Sequence, residues 1–310
     1  MRIVFQLVLT ALLFCALPAN AITIPRAVIE DPAPNAQFPA RLEVIHVPTG
    51  GVDINGIVYV AAGPGAHPTL VFFNGLPGNE RNLDVAQAAR RAGWNVVTIN
   101  YRGSWGSPGK FSFAQNLEDA RATLAFVRDP ANAKRLNVDP AQLAVGGHSM
   151  GGWVAAQTLA ADSTLLGGII ISAGDFGGAG QYALQNRAAI VSMMNDNRES
   201  LAGVTAETMT DELAAHGTQW SFATLAPQTD ASPFEHPVFP RFCRSAKRCP
   251  HQSDSTKRRQ TAGVNLCSHR PFLVGQTHRI ASPGGHLVAN FARQITAHLV
   301  RCGWPQIAAR

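Results

Sequence analysis

Between residues 68 and 174, short apolar runs alternate with longer amphipathic stretches, and this alternation constrains the fold most strongly. The apolar runs are PTLVFFNG, WNVVTINYRG, QLAVGGHS and LGGIIISAG. Each is long enough for one strand and largely apolar, as expected of a strand buried on both faces. The stretches LDVAQAARRAG, NLEDARATLAFVRD and GWVAAQTLAA have helical spacing. Strands that alternate with helices form βαβ units, so the sequence predicts an α/β fold. Its sheet is expected to be mostly parallel and doubly wound, with helices on both faces.

The segment Gly147-His148-Ser149-Met150-Gly151 has the pattern G-x-S-x-G and lies between a predicted strand and a predicted helix. Two glycines permit a turn tight enough to lift Ser149 out of the sheet edge. The same turn puts the Met150 N–H at a helix N-terminus, where a negative oxygen is stabilised. This context favours Ser149 as a nucleophile over a plain glycine-rich connection.

The loop NGLPG follows the strand that is expected beside the Ser149 strand. Here Leu76 offers a backbone N–H that can act together with that of Met150. Two such donors, aimed at the charge that develops in acyl transfer, stabilise it by several kcal/mol. The alternative is an ordinary Gly-Pro connection.

Residues 69–174 resemble the catalytic core of α/β-hydrolase-fold serine hydrolases, and in particular the esterase and prolyl-oligopeptidase-like branches. The shared motifs are NGLPG in place of the frequent H-G-x-P-G, NYRGSWGSPG after the next strand, and GHSMGG at the turn. The resemblance implies that Ser149 attacks a carbonyl carbon and that Leu76 and Met150 form the oxyanion hole. It also implies a later Asp and His, in the chain order Ser, acid, His.

Residues 229–283 break the pattern, because Arg, Ser, Cys, His and Gln replace the apolar texture of the preceding chain. Only PVFP and PFLV are apolar there, and the amphipathic stretch GGHLVANFARQITAHLV follows. We hypothesise that this segment is an out-of-frame translation of the gene. The alternative is a genuine polar surface insertion held by disulfides. An apolar run ending in Asp in another reading frame would support the hypothesis, and its absence from both would refute it.

The proposed triad needs a base and an acid. His286 is the first choice for the base, because it directly precedes the last amphipathic stretch, and His269 and His278 are its rivals. Asp175 follows the strand GGIIISAG and is the candidate acid, unless it only terminates the turn into the next segment. Asp254 has the right chain order but lies in the polar segment. Loss of the acid would cost orders of magnitude in rate.

The polar segment also contains possible metal ligands, but their spacing matches no common zinc module. An exported chain oxidises its thiols, so disulfides are favoured over a metal site if the segment is genuine. The possible ligands are Cys249, His251, Cys267 and His269, and the cysteines that can pair are Cys243, Cys249, Cys267 and Cys302. Neither a metal nor a cofactor is predicted.

The first 21 residues have a basic start, a short apolar run and an Ala-Asn-Ala end, which is typical of a signal peptide. The apolar run is shorter than the roughly 20 residues of a membrane span. The mature chain, residues 22–310, is therefore expected to be one periplasmic or secreted domain with no membrane association after cleavage. The net charge of +6 comes from residues 241–280, which hold nine Lys and Arg against one acid. A single basic segment without interleaved aromatics argues against a nucleic-acid partner.

Taken together, these features predict an exported serine hydrolase that cleaves an ester, and secondarily an amide or peptide, through an acyl-enzyme on Ser149. Residues 176–228 are expected to form helices and loops above the sheet as a cap. This cap and Trp105 are expected to line the acyl pocket. The alternative is a hydrolase fold without full activity, either a decayed gene product or a binding scaffold.

Overall fold

A computed structural model of the chain describes residues 25–225 and, as backbone only, Phe272–Gly275. Seven strands form one sheet in the order β1-β2-β4-β3-β5-β6-β7. The strands are β1 (Arg41–Thr49), β2 (Val52–Val60), β3 (His67–Phe73), β4 (Asn95–Ile99), β5 (Val138–His148), β6 (Gly167–Ile171) and β7 (Phe272–Gly275). The described helices are α1 (Arg26–Ile29), α2 (Leu83–Arg91), α3 (Phe113–Arg128), α4 (Pro130–Leu136), α5 (Met150–Ala161), α6 (Phe176–Asn195), α7 (Ala206–Trp220) and α8 (Phe222–Leu225).

The centre of the sheet is parallel, since β3 pairs with both β4 and β5, and β5 pairs with β6, all in the same direction. An antiparallel hairpin, β1–β2, extends one side of this centre. On the other side, β7 pairs antiparallel with β6. The predicted α/β fold with a doubly wound sheet is confirmed, and the sheet is mixed, with a parallel centre and antiparallel pairs on both sides of it.

Alternate residues of the central strands face two separate hydrophobic cores, because successive side chains of a strand point to opposite faces. Val71 and Phe73 of β3 belong to the core that contains Trp153 of α5. Leu70 and Phe72 belong to the other core, which is closed by apolar side chains of α2. The apolar runs are therefore continuous because each strand is covered on both faces.

Two helix boundaries differ from the sequence prediction. α3 ends before Pro130, as does the helical stretch NLEDARATLAFVRD, but the proline then begins a further helix, α4, that was not predicted. The Asp129 carboxylate accepts from the Asn132 N–H and caps it, and a proline is tolerated at a first helical position because its missing N–H has no partner there. α3 begins at Phe113, earlier than the periodicity predicts, because the Ser112 side chain caps it and Glu212 of α7 accepts from the backbone N–H of Phe113 and of Ala114.

The helices α6 and α7 pack closely against each other after β6. A Cβ atom at Gly180 would lie 1.9 Å from the Leu213 carbonyl oxygen, so the contact requires a glycine. As expected for residues 176–228, their described part, up to residue 225, is largely helical. In the part of the chain that the structure describes, none of the helices combines the length and apolarity that a membrane span needs.

Candidate active site

Ser149 lies between the last residue of β5 and the first residue of α5. Its φ of 54° and ψ of −117° fall where residues other than glycine are seldom found. Its N–H donates to the Ile171 carbonyl at the end of β6, 3.0 Å away, which fixes the turn to the neighbouring strand. The residue is half-buried and its side chain does not cap α5. The hydroxyl is therefore not committed to the helix end, and the residue is not fully buried.

The glycines on either side of Ser149 are required by close backbone contacts. A Cβ atom at Gly147 would lie 2.2 Å from the Gly151 carbonyl group, and one at Gly151 would lie 2.0 Å from the Phe73 carbonyl oxygen. Both distances are far below van der Waals contact, so any larger residue would force the strand and the helix apart. The G-x-S-x-G pattern thus has a steric cause in this fold.

The β3–α2 loop, residues 74–82, passes directly beside Ser149. A Cβ atom at Gly75 would lie 3.2 Å from the Ser149 Cβ atom. The next residue, Leu76, is half-buried. Within residues 25–225, the backbone N–H groups of Leu76 and Met150 donate to no acceptor. Two amide donors are therefore available on the two segments that meet at Ser149.

Asn74 fixes the start of this loop to β4. Its side-chain Nδ2 donates to the Ile99 carbonyl at 2.7 Å, and its own carbonyl accepts from the Tyr101 hydroxyl at 3.4 Å. Burial raises the pKa of Tyr101 well above its usual value, so the hydroxyl stays protonated and remains a donor. Asn74, in the position where the resembling family frequently has histidine, thus holds the loop against the neighbouring strand.

The side chain of Trp105 packs against the β3–α2 loop. The indole ring occupies the space where a side chain at Gly78 would be, 2.7 Å from the ideal Cβ position. The Arg81 guanidinium lies 5.7 Å from the ring centre, within the range of a cation–π contact. The side chain is 42% exposed. The structure therefore places Trp105 at the β3–α2 loop, and its predicted contact with an acyl group stays a prediction.

The β4–α3 loop, residues 100–112, carries Trp105 and is anchored by a buried ion pair. The Arg102 side-chain Nε donates to Asp119 Oδ1 at 2.7 Å, and the Arg102 backbone N–H donates to Asp119 Oδ2 at 2.9 Å. Thr49 donates a further hydrogen bond to Oδ1. The Asp119 side chain is fully buried, so its charge depends on these donors.

His148, the residue before Ser149, is a member of this site to which the sequence reasoning gave no role. Burial lowers the pKa of its imidazole, and the negative charge of Glu80 partly opposes this effect. Its Nδ1 atom lies 3.6 Å from the ideal Cβ position of Gly75, so the ring packs against the loop beside Ser149. The only signal in the sequence was its place within the G-x-S-x-G pattern.

Asp175 directly follows a residue that is hydrogen-bonded to the Ser149 turn, and it acts as the N-cap of α6. The preceding residue, Gly174, donates from its N–H to the Ser149 carbonyl at 3.4 Å. The Asp175 Oδ1 atom accepts from the backbone N–H groups of Gly178 and Phe222, and Oδ2 accepts from the Ser221 hydroxyl. The carboxylate thus joins the start of α6 to the start of α8.

The candidate bases His269, His278 and His286 and the candidate acid Asp254 lie outside the described residues. The same is true of the cysteines and of the possible metal ligands Cys249, His251 and Cys267. Among residues 25–225, no group of three or more His, Cys, Asp or Glu side chains is arranged to hold a metal ion.

The parallel sheet, the serine turn at the end of β5 and the loop that crosses it from β3 together define an α/β-fold hydrolase. A model of the alpha/beta hydrolase family matches residues 70–305, which is well over half of the chain. The chain belongs to the alpha/beta hydrolase family.

Two curated relatives come from two strains of Mycobacterium tuberculosis, and both are named only as uncharacterized proteins. Each is 29% identical to this chain over 125 residues, or 40% of this chain and 43% of the relative. The chain thus spans less than half the length of these relatives.

Similar solved structures include two esterases. EstE1, a thermophilic carboxylesterase cloned from a metagenomic library, is 24% identical, with a TM-score of 0.39 over 48% of this chain and 50% of its own. An esterase of Pyrobaculum calidifontis is 24% identical, with a TM-score of 0.40 over 58% of this chain and 57% of its own.

Proposed function

We propose that the chain is an exported serine hydrolase that cleaves a carboxylic ester, and secondarily an amide or peptide, through an acyl-enzyme on Ser149. The observation that carries the proposal is the turn at Ser149. A serine is held at positive φ, partly exposed, and the backbone N–H groups of Leu76 and Met150, on the two segments that meet there, have no acceptor among residues 25–225. Backbone in such a sparsely populated conformation clusters at active sites, and at Ser149 it coincides with the two amide donors.

In the proposed reaction, the Ser149 Oγ atom attacks the carbonyl carbon of the ester while its proton passes to an imidazole. The Leu76 and Met150 N–H groups hold the oxyanion that forms. The intermediate then expels the alcohol, which takes the proton from the imidazolium. Water repeats the sequence on the acyl-enzyme and releases the acid and the free serine. All charges and protons balance within these groups, so the reaction requires no cofactor.

We propose His286 as the imidazole, and the direction of β7 supports it over His278. Because β7 runs antiparallel to β6, Gly275 pairs with Gly167, at the end of β6 remote from Ser149. His278 follows Gly275 by three residues, which span at most about 10 Å of chain. To return from Gly275 to Ser149, the chain must run along the whole of β6, which is about 13 Å long. His286, eleven residues after Gly275, has chain enough to return, and His269 precedes β7 and remains the rival.

Asp175 is the proposed acid, in addition to its role as a helix cap. Each carboxylate oxygen has two acceptor positions. The two bonds to Oδ1 fill that oxygen, whereas the Ser221 hydroxyl uses only one position on Oδ2. One acceptor position therefore remains for an imidazole N–H.

Export is proposed from the leader sequence, with a mature chain that begins at Ile22. Expression of the full gene in a Gram-negative host is expected to give a periplasmic or secreted protein whose N-terminal sequence starts there. Accumulation of a chain that retains residues 1–21 in the cytoplasm would contradict this part of the proposal.

For residues 229–283 we propose an out-of-frame origin. The composition of the segment supports the proposal, because Arg, Ser, Cys, His and Gln replace the apolar residues of the preceding chain. Translation of the other two frames of the gene tests it, and a frame that supplies an apolar run ending in Asp is the expected result.

A fluorophosphonate probe tests the enzymatic function, together with hydrolysis of p-nitrophenyl acetate and of the matching p-nitroanilide. The unchanged chain is expected to be labelled and to cleave the ester faster than the anilide. Ser149→Ala is expected to abolish labelling and reduce ester hydrolysis to background.

The matched control is Ser172→Ala. Ser172 follows β6 and is also half-buried at positive φ, so the substitution makes the same chemical change nearby. Labelling of Ser172→Ala should persist. A chain that folds but is not labelled, or that is labelled equally after Ser149→Ala, would instead identify a hydrolase fold without this activity.

A further inference from the structure

The carbonyl oxygen of Pro77 accepts two hydrogen bonds from distant parts of the chain. The Trp105 indole Nε1 donates at 3.0 Å, and the Ser200 hydroxyl also donates at 3.0 Å. Trp105 belongs to the β4–α3 loop, and Ser200 belongs to the α6–α7 loop, residues 196–205. A single peptide group of the β3–α2 loop thus joins the parallel core to the helices that follow β6.

The α6–α7 loop is itself held firmly against the β4–α3 loop. The Ala202 N–H donates to the Gly103 carbonyl at 2.7 Å, and the Ala202 carbonyl accepts from the Phe111 N–H at 2.9 Å. Leu201 and Ser104 form an isolated antiparallel bridge beside them. The loop that carries Ser200 is therefore fixed to the β4–α3 loop, which holds the Ser200 hydroxyl beside the Pro77 carbonyl.

The β3–α2 loop is anchored on both sides of Leu76. Before it, the Asn74 side chain is bonded to the Ile99 carbonyl. After it, the Pro77 carbonyl is held by Ser200 and Trp105. Because the chain is fixed two residues before and one residue after Leu76, groups outside the loop restrict the direction of the Leu76 N–H.

We propose that Ser200 and Trp105 are positioning residues, which orient the Leu76 N–H toward the Ser149 oxyanion through their hydrogen bonds to the Pro77 carbonyl. This inference rests on the proposed serine hydrolase function. It gives the segment after β6 an indirect part in transition-state stabilisation, in addition to its predicted place as a wall of the acyl pocket. Neither residue needs to touch the substrate.

The expected effect follows from the cost of a misplaced donor. Loss of one oxyanion donor lowers kcat by about 10²–10³-fold, and a displacement of about 1 Å can cost about 10²-fold. Because Ser200→Ala removes one of two hydrogen bonds to Pro77, we expect kcat to fall about 10-fold, a small part of the full loss. KM should stay within about two-fold, since the bond acts on the charge that develops in the transition state.

The test compares Ser200→Ala with Ser200→Thr, which keeps the hydroxyl, and with Trp105→Phe, which keeps a ring but removes the donor. The matched control is Ser112→Ala. The Ser112 hydroxyl donates to Glu212 at 2.6 Å and also joins the helices after β6 to the core, but through α7 and with no hydrogen bond to the Pro77 carbonyl. The readouts are kcat and KM for p-nitrophenyl acetate, and hydrogen–deuterium exchange of the peptide that contains residues 74–80.

Ser200→Ala and Trp105→Phe should each lower kcat and speed exchange in the β3–α2 loop. Ser200→Thr should restore both, and Ser112→Ala should lower the melting temperature without either effect. An unchanged kcat in Ser200→Ala, or equal loop exchange in Ser200→Ala and Ser112→Ala, would overturn the inference. If the unchanged chain hydrolyses no ester, the proposed function fails. In that case the exchange comparison alone decides whether Ser200 and Trp105 hold the loop.

Discussion

Replacement of Ser149 by glycine should stabilise the protein, although it removes the proposed nucleophile. The backbone at Ser149, with φ 54° and ψ −117°, has the dihedral angles of the first central residue of a type II′ turn, which glycine dominates. A non-glycine residue in such a sparsely populated region costs about 1–3 kcal/mol. The extra backbone freedom of glycine in the unfolded chain offsets about 0.5–1 kcal/mol of the gain. A net stabilisation of about 1 kcal/mol is therefore expected.

The matched comparison is Ser149→Gly against Ser149→Ala, because both variants lack the hydroxyl and only the alanine retains the strain. Differential scanning calorimetry should place the melting temperature of the glycine variant about 2–4 °C above that of the alanine variant. Asn137→Gly serves as a control. Asn137 has φ 54° and ψ 40°, a left-handed conformation that asparagine tolerates, so its replacement should have a smaller effect. Equal melting temperatures for the two Ser149 variants would refute the assignment of strain to this turn.

Three further substitutions test the surroundings of the turn. Asp175→Asn should largely keep the N-cap of α6, because asparagine caps as well as aspartate does, and, if Asp175 is the acid, reduce kcat about 10⁴-fold; full activity in this variant would leave Asp175 a cap alone. Asp119→Ala removes the fully buried partner of Arg102 and leaves that guanidinium only the half-exposed Glu118 carboxylate as a counter-charge. It should cost about 1–3 kcal/mol in urea unfolding, and a loss below about 1 kcal/mol would contradict this. Because burial lowers the pKa of His148, the unfolded chain binds more protons than the folded chain below about pH 6.5, so stability falls as the pH is lowered. His148→Gln should therefore flatten the fall in melting temperature between about pH 7.5 and about pH 5; an equal flattening by His46→Gln, at an exposed histidine of β1, would contradict this reasoning.

Much of the sheet could be predicted because the information lies in neighbouring residues. The apolar runs that form β3, β4 and β6 are continuous since both faces of these strands are covered. The Ser149 turn is equally local, because the glycines that make room for it are two positions away on either side. The start of α3 is only partly local. Ser112 caps the helix by accepting from the Gln115 N–H, but the N–H groups of Phe113 and Ala114 are satisfied by Glu212, nearly 100 positions further along the chain, and no local pattern records that contact.

The two donors of the candidate oxyanion hole differ in the same way, because local residues place one and distant residues place the other. The Met150 N–H is placed by the turn and the helix that the motif itself encodes, and so the motif is sufficient to find it. The Leu76 N–H belongs to a loop that is bonded to Ile99 through Asn74 and to Ser200 through Pro77. The Pro77–Ser200 hydrogen bond spans 123 positions of the sequence. A substitution in the α6–α7 loop can therefore change the geometry beside Ser149 without altering any residue that contacts a substrate. Selection for activity would act on that loop through the Pro77 carbonyl, and its sequence would carry no motif to show it.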